Sequence, residues 1–280
     1  MDYLYYPGCS LEGTAGEYDL SCRELFRILG DRLTDIPDWT CCGATAVQCV
    51  DAFLSVVLPA RNLALAEKTD TGLDVLVPCS ACYLNLKKAR QDLLENSALR
   101  DRVNQVLAPD ELAVNAFVRV RHLLDVLSRD GAVDRVAERA ENRMKGFVVA
   151  PYYGCQCLRP FAEFDDPEQP RSMDALIRAT GADVLAWDMG GVCCGASTAT
   201  TKPQVGKELV GRILDQAEDA HAVVTVCPMC QMNLERFQPR PVPVLYLPQF
   251  LGLALGLAGK SLGCDMNLSD VRPVLSRVAS

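Results

Sequence analysis

Cys41-Cys42-Gly43 occurs a second time in this chain, as Cys193-Cys194-Gly195. A lone cysteine precedes each copy in a Tyr-Tyr context, in Tyr5-Tyr6-Pro7-Gly8-Cys9 and in Tyr152-Tyr153-Gly154-Cys155. A Cys-x-x-Cys follows each copy, first as Cys79-Ser80-Ala81-Cys82 and then as Cys227-Pro228-Met229-Cys230. The spacing is C-x31-CC-x36-C-x2-C in the first half and C-x37-CC-x32-C-x2-C in the second. Ten of the 14 cysteines belong to this frame, which is too regular for cysteines that only pack in a core.

Short apolar runs end just before four of these cysteines and predict buried strands, over residues 2–6, 73–77, 147–150 and 222–226. Apolar helical spacing predicts helices over 17–29, 47–68, 172–180 and 205–217, with a further helix from Cys82 onward. The helix over 47–68 is expected to be interrupted or entered near Pro59. Strands that alternate with helices favour an α/β fold, here two pseudo-symmetric halves, each a small parallel sheet flanked by helices.

The first of these helices carries an apolar face of Leu20, Leu25, Phe26 and Leu29. Residues 91–145 are charged with helical apolar spacing, including Phe117 and a helix over 120–127, and predict helices that join the halves. The expected domains are therefore 1–140, with the connecting helices, and 141–280. Because parallel sheets form sites outside the carboxyl ends of their strands, each half is expected to gather its five cysteines at one sheet edge.

Composition excludes several classes of protein. The net charge of -8, the pI near 4.9 and the scattered Lys and Arg argue against a nucleic-acid partner. Residues 1–5 have neither a basic nor an apolar run, so no export signal is expected, and the apolar stretch 250–259 is too short to span a membrane and predicts a helix packed on the core. Fourteen cysteines without an export signal favour a reducing, cytoplasmic location, where thiolates bind metals instead of forming disulfides.

Thiolates are soft ligands that select zinc, copper(I) or iron–sulfur clusters. A structural zinc site and an ordinary iron–sulfur cluster both take four protein ligands, whereas each half of this chain offers five. Spacing therefore predicts two equivalent thiolate-rich sites and favours clusters over zinc. Two structural zinc sites in a scaffold remain an alternative at this point.

The sequence closely resembles the B-type subunit of heterodisulfide reductase, a family with two cysteine-rich CCG domains. The resemblance covers nearly the whole chain and includes the motifs around both CCG tripeptides, as well as Glu17-Tyr18-Asp19, Leu58-Pro59-Ala60-Arg61-Asn62 and Arg159-Pro160. It implies two non-cubane [4Fe-4S] clusters, each held by five cysteines. The first cluster would be held by Cys9, Cys41, Cys42, Cys79 and Cys82, and the second by Cys155, Cys193, Cys194, Cys227 and Cys230.

In this family the substrate disulfide lies between the two clusters, and each cluster delivers one electron as the S–S bond breaks. The resemblance thus implies the catalytic subunit of a heterodisulfide-reductase-like complex, which interconverts a disulfide and thiols or acts on a related sulfur substrate. Implied partners are a ferredoxin-like C-type subunit and a flavin-containing A-type subunit. An electron-transfer CCG protein of a lactate, glycolate or other bacterial redox complex is the alternative, as is a sulfur-oxidising complex.

Other candidate residues have simpler interpretations. The cysteines outside the frame, namely Cys22, Cys49, Cys157 and Cys264, are expected to pack as small apolar side chains, although Cys157 lies close to a ligand. His122 and His221 pair with no nucleophile and are expected to be structural. Glycines beside the ligands are expected to let the backbone approach a cluster, namely Gly8, Gly43, Gly154 and Gly195.

Overall fold

Two four-stranded parallel sheets form the framework of the computed structural model, which describes residues 1–44 and 46–278. The strands of the first sheet are β1 (Asp2–Tyr5), β2 (Arg32–Asp35), β3 (Val75–Val77) and β4 (Val120–His122). Those of the second are β5 (Val148–Tyr152), β6 (Asp183–Val184), β7 (Ala222–Thr225) and β8 (Val244–Tyr246). The strand orders are β2-β1-β3-β4 and β6-β5-β7-β8, so the two halves share one topology. The predicted α/β class and its pseudo-symmetry are confirmed.

Helices flank both sheets. The first half contains α1 (Gly8–Glu12), α2 (Gly16–Leu29), α3 (Val47–Val50), α4 (Leu54–Lys68), α5 (Ser80–Glu95), α6 (Ser97–Leu107), α7 (Leu123–Arg129) and α8 (Ala132–Ala140). The second half contains α9 (Ser172–Ala179), α10 (Pro203–Asp215), α11 (Pro228–Phe237), α12 (Leu247–Ala254) and α13 (Arg272–Val278). Short 3-10 turns cover Ala108–Asp110, Gly259–Leu262 and Cys264–Met266. In the part of the chain that the structure describes, no helix has the length and apolar character of a membrane crossing.

The predicted helix over 120–127 is wrong at its start. Residues Val120–His122 pair in parallel with β3, and the helix begins only at Leu123. The His122 side chain accepts a hydrogen bond from the Leu124 backbone N–H, which makes His122 the N-cap of α7. The prediction failed because β4 directly precedes α7, so the apolar residues of the strand were counted as part of the helical pattern.

The predicted helix over 47–68 divides into α3 and α4, and the break lies at Asp51 instead of near Pro59. The Asp51 carboxylate accepts hydrogen bonds from the backbone N–H groups of Phe53 and Leu54, at 2.8 and 2.9 Å. These contacts begin a new helix, because they satisfy donors that lack a partner in its first turn. Two apolar side chains also differ from expectation, since Leu20 is 45% and Phe117 73% exposed.

One apolar core joins the two halves. It contains Tyr5 and Leu76 from the first sheet together with Val149 and Leu245 from the second. The core helix predicted within 250–259 corresponds to the C-terminal part of α12. All residues of α12 are buried, and the helix packs against α2 of the first half. The Tyr18 hydroxyl lies 3.1 Å from the Pro78 carbonyl and 3.0 Å from the Val226 carbonyl, so the segments that follow β3 and β7 approach each other.

Candidate metal centre

The sheet topology explains why the cysteines converge. In each sheet the strand order reverses direction between the first and third strands, and such a switch point opens a crevice at the carboxyl edge. Cys9 follows β1 and Cys79 follows β3, so both lie at the switch point of the first sheet. Cys155 and Cys227 follow β5 and β7 in the same way. The CCG segments enter each crevice from the loops after β2 and β6.

In the first half, the five predicted cysteines are neighbours in the succession Cys9, Cys41, Cys42, Cys82 and Cys79. The Sγ atoms of Cys9 and Cys41 are 3.6 Å apart, and those of Cys42 and Cys82 are 3.4 Å apart. The Cys79 thiol lies near enough to Cys227 of the other half and to Cys82 for both to shift its pKa, which is raised well above the ordinary value. The five cysteines of the first half and the five of the second, called here the two sets, therefore approach each other at Cys79 and Cys227, the first cysteine of each Cys-x-x-Cys segment.

The second half repeats this arrangement. The Sγ atoms of Cys194 and Cys230 are 3.7 Å apart. The neighbouring thiol of Cys193 raises the pKa of Cys155, and that of Cys230 lowers the pKa of Cys227. The thiols line a cavity of about 40 Å³ with neighbours from both halves. The lining residues beside the cysteines include Ser80, Tyr153, Gln156, Ser197 and Met229.

Burial changes along each set. The Cys-x-x-Cys residues and the second cysteine of each CCG are buried, whereas Cys9, Cys41 and Cys193 are exposed and Cys155 is half-buried. Each set thus extends from the contact between the halves outward to solvent. A small molecule can reach the outer thiols without any rearrangement of the core.

Interactions between neighbouring thiols lower the pKa of Cys42 in the first half and of Cys193 and Cys227 in the second. Interactions with the thiols of Cys41 and Cys82 lower the pKa of Cys42 to about 3, and the interaction with Cys42 raises the pKa of Cys41. The pKa of Cys193 falls to about 6 through its hydrogen bond with Cys155, with help from the Gly195 N–H and the charge of Arg159. Thiolates are the ligand form of cysteine, so both CCG segments are prepared to bind a metal.

Two glycines make room for the inner thiols. Gly8 has φ +73°, and a Cβ at this position would lie 2.8 Å from Cys82 Sγ. Gly154 has φ +69°, and its Cβ would lie 2.8 Å from Cys230 Sγ. Both the left-handed backbone and the close sulfur therefore require glycine at these positions.

Two asparagines hold the CCG segments, a role that the sequence analysis missed. The Asn85 amide of α5 donates to the carbonyls of Cys42 and Ala44, at 3.1 and 2.8 Å. The Asn233 amide of α11 donates to the Cys194 carbonyl at 2.6 Å. Asn85 follows Cys82 by the same number of residues as Asn233 follows Cys230, and this repeat was the only signal in the sequence for their shared role.

The remaining candidates are mostly structural. Cys22, Cys157 and Cys264 are buried as expected, but Cys49 is exposed, because α3 buries none of its residues. Cys157 donates to the Tyr153 carbonyl at 3.2 Å. His122 is fully buried, whereas His221 is exposed and its Nδ1 accepts from the Val148 N–H.

The donor set fits an iron–sulfur centre in its chemistry, because soft thiols converge in each half and glycines admit the sulfur atoms. Within residues 1–44 and 46–278, no group of three or more Cys, His, Asp or Glu side chains has the arrangement of a single-ion site. The fit therefore rests on the convergence of soft ligands at the switch points.

Comparison with known proteins agrees with this chemistry. The cysteine-rich domain family, CCG, matches residues 3–87 and 149–235. The 8-methylmenaquinol:fumarate reductase membrane anchor subunit of Wolinella succinogenes is 34% identical, across 96% of this chain and 97% of that protein. A protein of Archaeoglobus profundus, named as similar to the B-type subunit of heterodisulfide reductase, is 29% identical across 91% of each chain. The B-type subunit of the ferredoxin:CoB-CoM heterodisulfide reductase of Methanosarcina mazei is 27% identical across 83% of this chain and 82% of that one.

A solved structure shares the fold. A hypothetical protein from Helicobacter pylori superimposes with a TM-score of 0.74 at 16% identity, over 96% of this chain. This chain spans about half of that structure, 52% of its length. The likeness concerns the fold and carries no statement about activity.

Proposed function

This chain belongs to the family of CCG cysteine-rich domain proteins, and from this premise we propose that it interconverts a disulfide and thiols at two iron–sulfur sites. The family and the heterodisulfide reductase relatives identify an iron–sulfur oxidoreductase component. The proposal adds the number of sites, their ligands and their substrate class.

The proposed ligands are the two convergent sets of five cysteines. Cys9, Cys41, Cys42, Cys79 and Cys82 form the first set, and Cys155, Cys193, Cys194, Cys227 and Cys230 form the second. When bound, a non-cubane [4Fe-4S] cluster at each set supplies electrons one at a time. The chain supplies thiolates, a dry inner wall and backbone N–H groups beside the sulfur atoms.

The contact between Cys79 and Cys227 carries the proposal. The proximity of these two inner cysteines supports a shared substrate for the two proposed sites. Reduction of a disulfide to two thiols takes two electrons and two protons. Two adjacent one-electron sites match this demand, and the exposed outer thiols leave each site open to a small molecule.

Anaerobic EPR with iron quantitation tests this function. The expected result is about eight irons per chain and a signal of the oxidised protein that changes when a small thiol is added. Zinc in place of iron would exclude a redox role. Iron without response to any thiol would exclude the disulfide substrate and leave a protein that only transfers electrons.

The fumarate reductase relative favours a second candidate. Its 34% identity extends over nearly all of both chains, and its name refers to 8-methylmenaquinol. In this alternative the same two sites pass electrons between a quinol and a partner protein. Stopped-flow mixing of the reduced protein with a menaquinone analogue or with a small disulfide separates the two candidates. Faster oxidation by the quinone would favour the alternative.

The proposed partners follow from the names of the relatives. The M. mazei protein is one component of a ferredoxin-dependent heterodisulfide reductase. We expect a ferredoxin-like C-type subunit and a flavin-containing A-type subunit to deliver or accept electrons here. Affinity purification of the native complex followed by flavin and iron analysis checks this, and recovery of the chain without any redox partner would contradict it.

A further inference from the structure

The two asparagines that hold the CCG segments make different contacts with them. Asn85 Nδ2 donates a hydrogen bond to Cys42 Sγ, with the two atoms 3.7 Å apart. Asn233, the equivalent residue of the second half, donates to the Cys194 carbonyl at 2.6 Å. Among the residues that the structure describes, Asn233 makes no hydrogen bond to a sulfur atom. The two sets of cysteines are therefore inequivalent at this point, although the asparagines occupy equivalent positions.

The partners of Asn85 fix which end of its amide faces the sulfur. The same Nδ2 donates to the carbonyls of Cys42 and Ala44, at 3.1 and 2.8 Å. A carbonyl can only accept a hydrogen bond, so the nitrogen and not the oxygen of the amide must lie on this side. Since this nitrogen carries two protons and faces three acceptors, at least one proton is shared between two of them. Cys42 Sγ thus lies beside a donor whose orientation the two carbonyls maintain.

Helix α5 brings this donor to the cysteine. Cys82 and Asn85 are three residues apart on α5, so their side chains lie on the same face of the helix. Cys82 Sγ is 3.4 Å from Cys42 Sγ, and the Cys42 sulfur therefore contacts both of these side chains. Cys42 is only 1% exposed, so water does not compete for its sulfur. In such surroundings a hydrogen bond is electrostatically stronger than in water.

We propose that Asn85 is a positioning residue whose amide donates a hydrogen bond to the Cys42 sulfur when this sulfur binds iron, and that this bond raises the reduction potential of the first site. Reduction adds one electron to an iron–sulfur centre, and a donor to a ligand sulfur stabilises the added negative charge. Asn233 holds the second CCG segment without this effect. The inference rests on the proposed function, because it requires an iron–sulfur centre at the first set.

A redox titration monitored by EPR compares Asn85→Ala with Asn233→Ala. Both variants lose an anchor of a CCG segment, but only Asn85→Ala loses a donor to sulfur. We expect one midpoint potential to fall in Asn85→Ala while the other keeps its wild-type value, and both to stay unchanged in Asn233→Ala. Pulsed EPR of protein with 15N in its asparagine side-chain amides provides a second readout. A 15N nucleus coupled to one centre is expected in the wild type and in Asn233→Ala, but not in Asn85→Ala.

Unchanged midpoints in Asn85→Ala would overturn the inference. Similar shifts in both variants would also overturn it, because they would assign the effect to the anchoring that the two asparagines share. If Asn85→Ala failed to assemble its first centre, the labelled wild type and Asn233→Ala would decide, since lack of the 15N coupling in either would refute the hydrogen bond. Failure of the proposed function is distinguishable, because the wild-type protein would then show no iron–sulfur signal, whereas failure of the inference leaves the signals in place.

Discussion

Tyr18 connects the two halves through a single hydroxyl. This hydroxyl lies 3.1 Å from the Pro78 carbonyl and 3.0 Å from the Val226 carbonyl, the residues that precede Cys79 and Cys227. The Tyr18 ring stacks on Tyr246 of the second half, with centroids 4.0 Å apart. One buried side chain therefore fixes the distance between both Cys-x-x-Cys segments.

We expect Tyr18→Phe to lower the free energy of unfolding by about 1–3 kcal/mol, because two buried carbonyls lose their donor while the ring remains. Tyr83→Phe is the matched control, since Tyr83 is equally buried but its hydroxyl has no hydrogen bond to the described residues. Urea denaturation of both variants measures the difference. Equal stability of the two variants would contradict the bridging role.

His122 predicts a dependence of stability on pH. Burial lowers its pKa in the folded chain to about 4, below the ordinary value of 6.5. As the pH falls below about 6.5, the unfolded chain binds the proton first, so stability is lost down to about pH 4. His122→Asn preserves an N-cap acceptor but cannot bind this proton. Between pH 7 and pH 5, we expect the variant to lose about 2 kcal/mol less of its free energy of unfolding than the wild type.

Urea denaturation at the two pH values measures this effect. His221→Asn replaces the exposed histidine and is expected to keep the wild-type dependence on pH. If the stabilities of the wild type and His122→Asn changed in parallel between pH 7 and pH 5, the pKa of His122 in the folded chain would not be lowered by its burial.

At the scale of elements, the short turn between β1 and α1 is the most constrained segment near the cysteines. An alanine at Gly8 would combine the left-handed backbone with a Cβ 2.8 Å from Cys82 Sγ. We expect Gly8→Ala to lose about half of the iron, because only the first site is displaced. Gly154→Ala, which meets Cys230 at the same distance, should lose the other half.

Gly30→Ala is the control for backbone strain. Gly30 has φ +81° at the end of α2, and nothing lies within 4 Å of its Cβ position. This variant is expected to lose about 1 kcal/mol of stability and to retain all of its iron. Iron and acid-labile sulfide per chain, measured after anaerobic reconstitution, compare the variants. Full iron in Gly8→Ala would show that the turn can adapt to a side chain.

The elements differ in how well the sequence predicts them. The central strands β1, β3, β5 and β7 are apolar and almost entirely buried, and they could be predicted from composition. The outer strands have two to four residues, and β2 is exposed and polar. Strands this short are not visible as a periodic pattern in the sequence. They form because a neighbouring strand pairs with them, and the sequence alone does not show that pairing.

The same distinction applies to the candidate site. The ten cysteines could be predicted because the whole pattern occurs twice, and a repeat separates ligands from packing residues. In contrast, Ser80, Tyr18 and Asn85 are single polar residues whose partners are distant in sequence. The partner of Ser80 is 42 positions away, and those of Tyr18 are 60 and 208 positions away. The partners of Asn85 are 41 and 43 positions away. Only the folded arrangement shows what they bind, and the domain boundary at residue 140 also stays a prediction.

At the scale of the whole molecule, the two halves share most of one apolar core. Residues of both sheets belong to it, and α2 of the first half packs on α12 of the second. A smaller cluster, which includes Tyr152 and Val210, lies within the second half. Because the shared core is the larger of the two, the halves are expected to stabilise each other and unfold together.

The two tryptophans allow a direct test, since Trp39 lies in the first half beside Tyr6 and Trp187 in the second half donates to the Pro151 carbonyl. Trp39→Phe leaves a reporter of the second half, and Trp187→Phe leaves a reporter of the first. We expect each variant to show one urea transition by fluorescence that coincides with its own transition by far-UV circular dichroism. A fluorescence midpoint that precedes the circular dichroism midpoint in either variant would mean that the halves unfold separately. The contact between Cys79 and Cys227 would then open before the fold is lost, and the two sites could not act as one unit under such conditions.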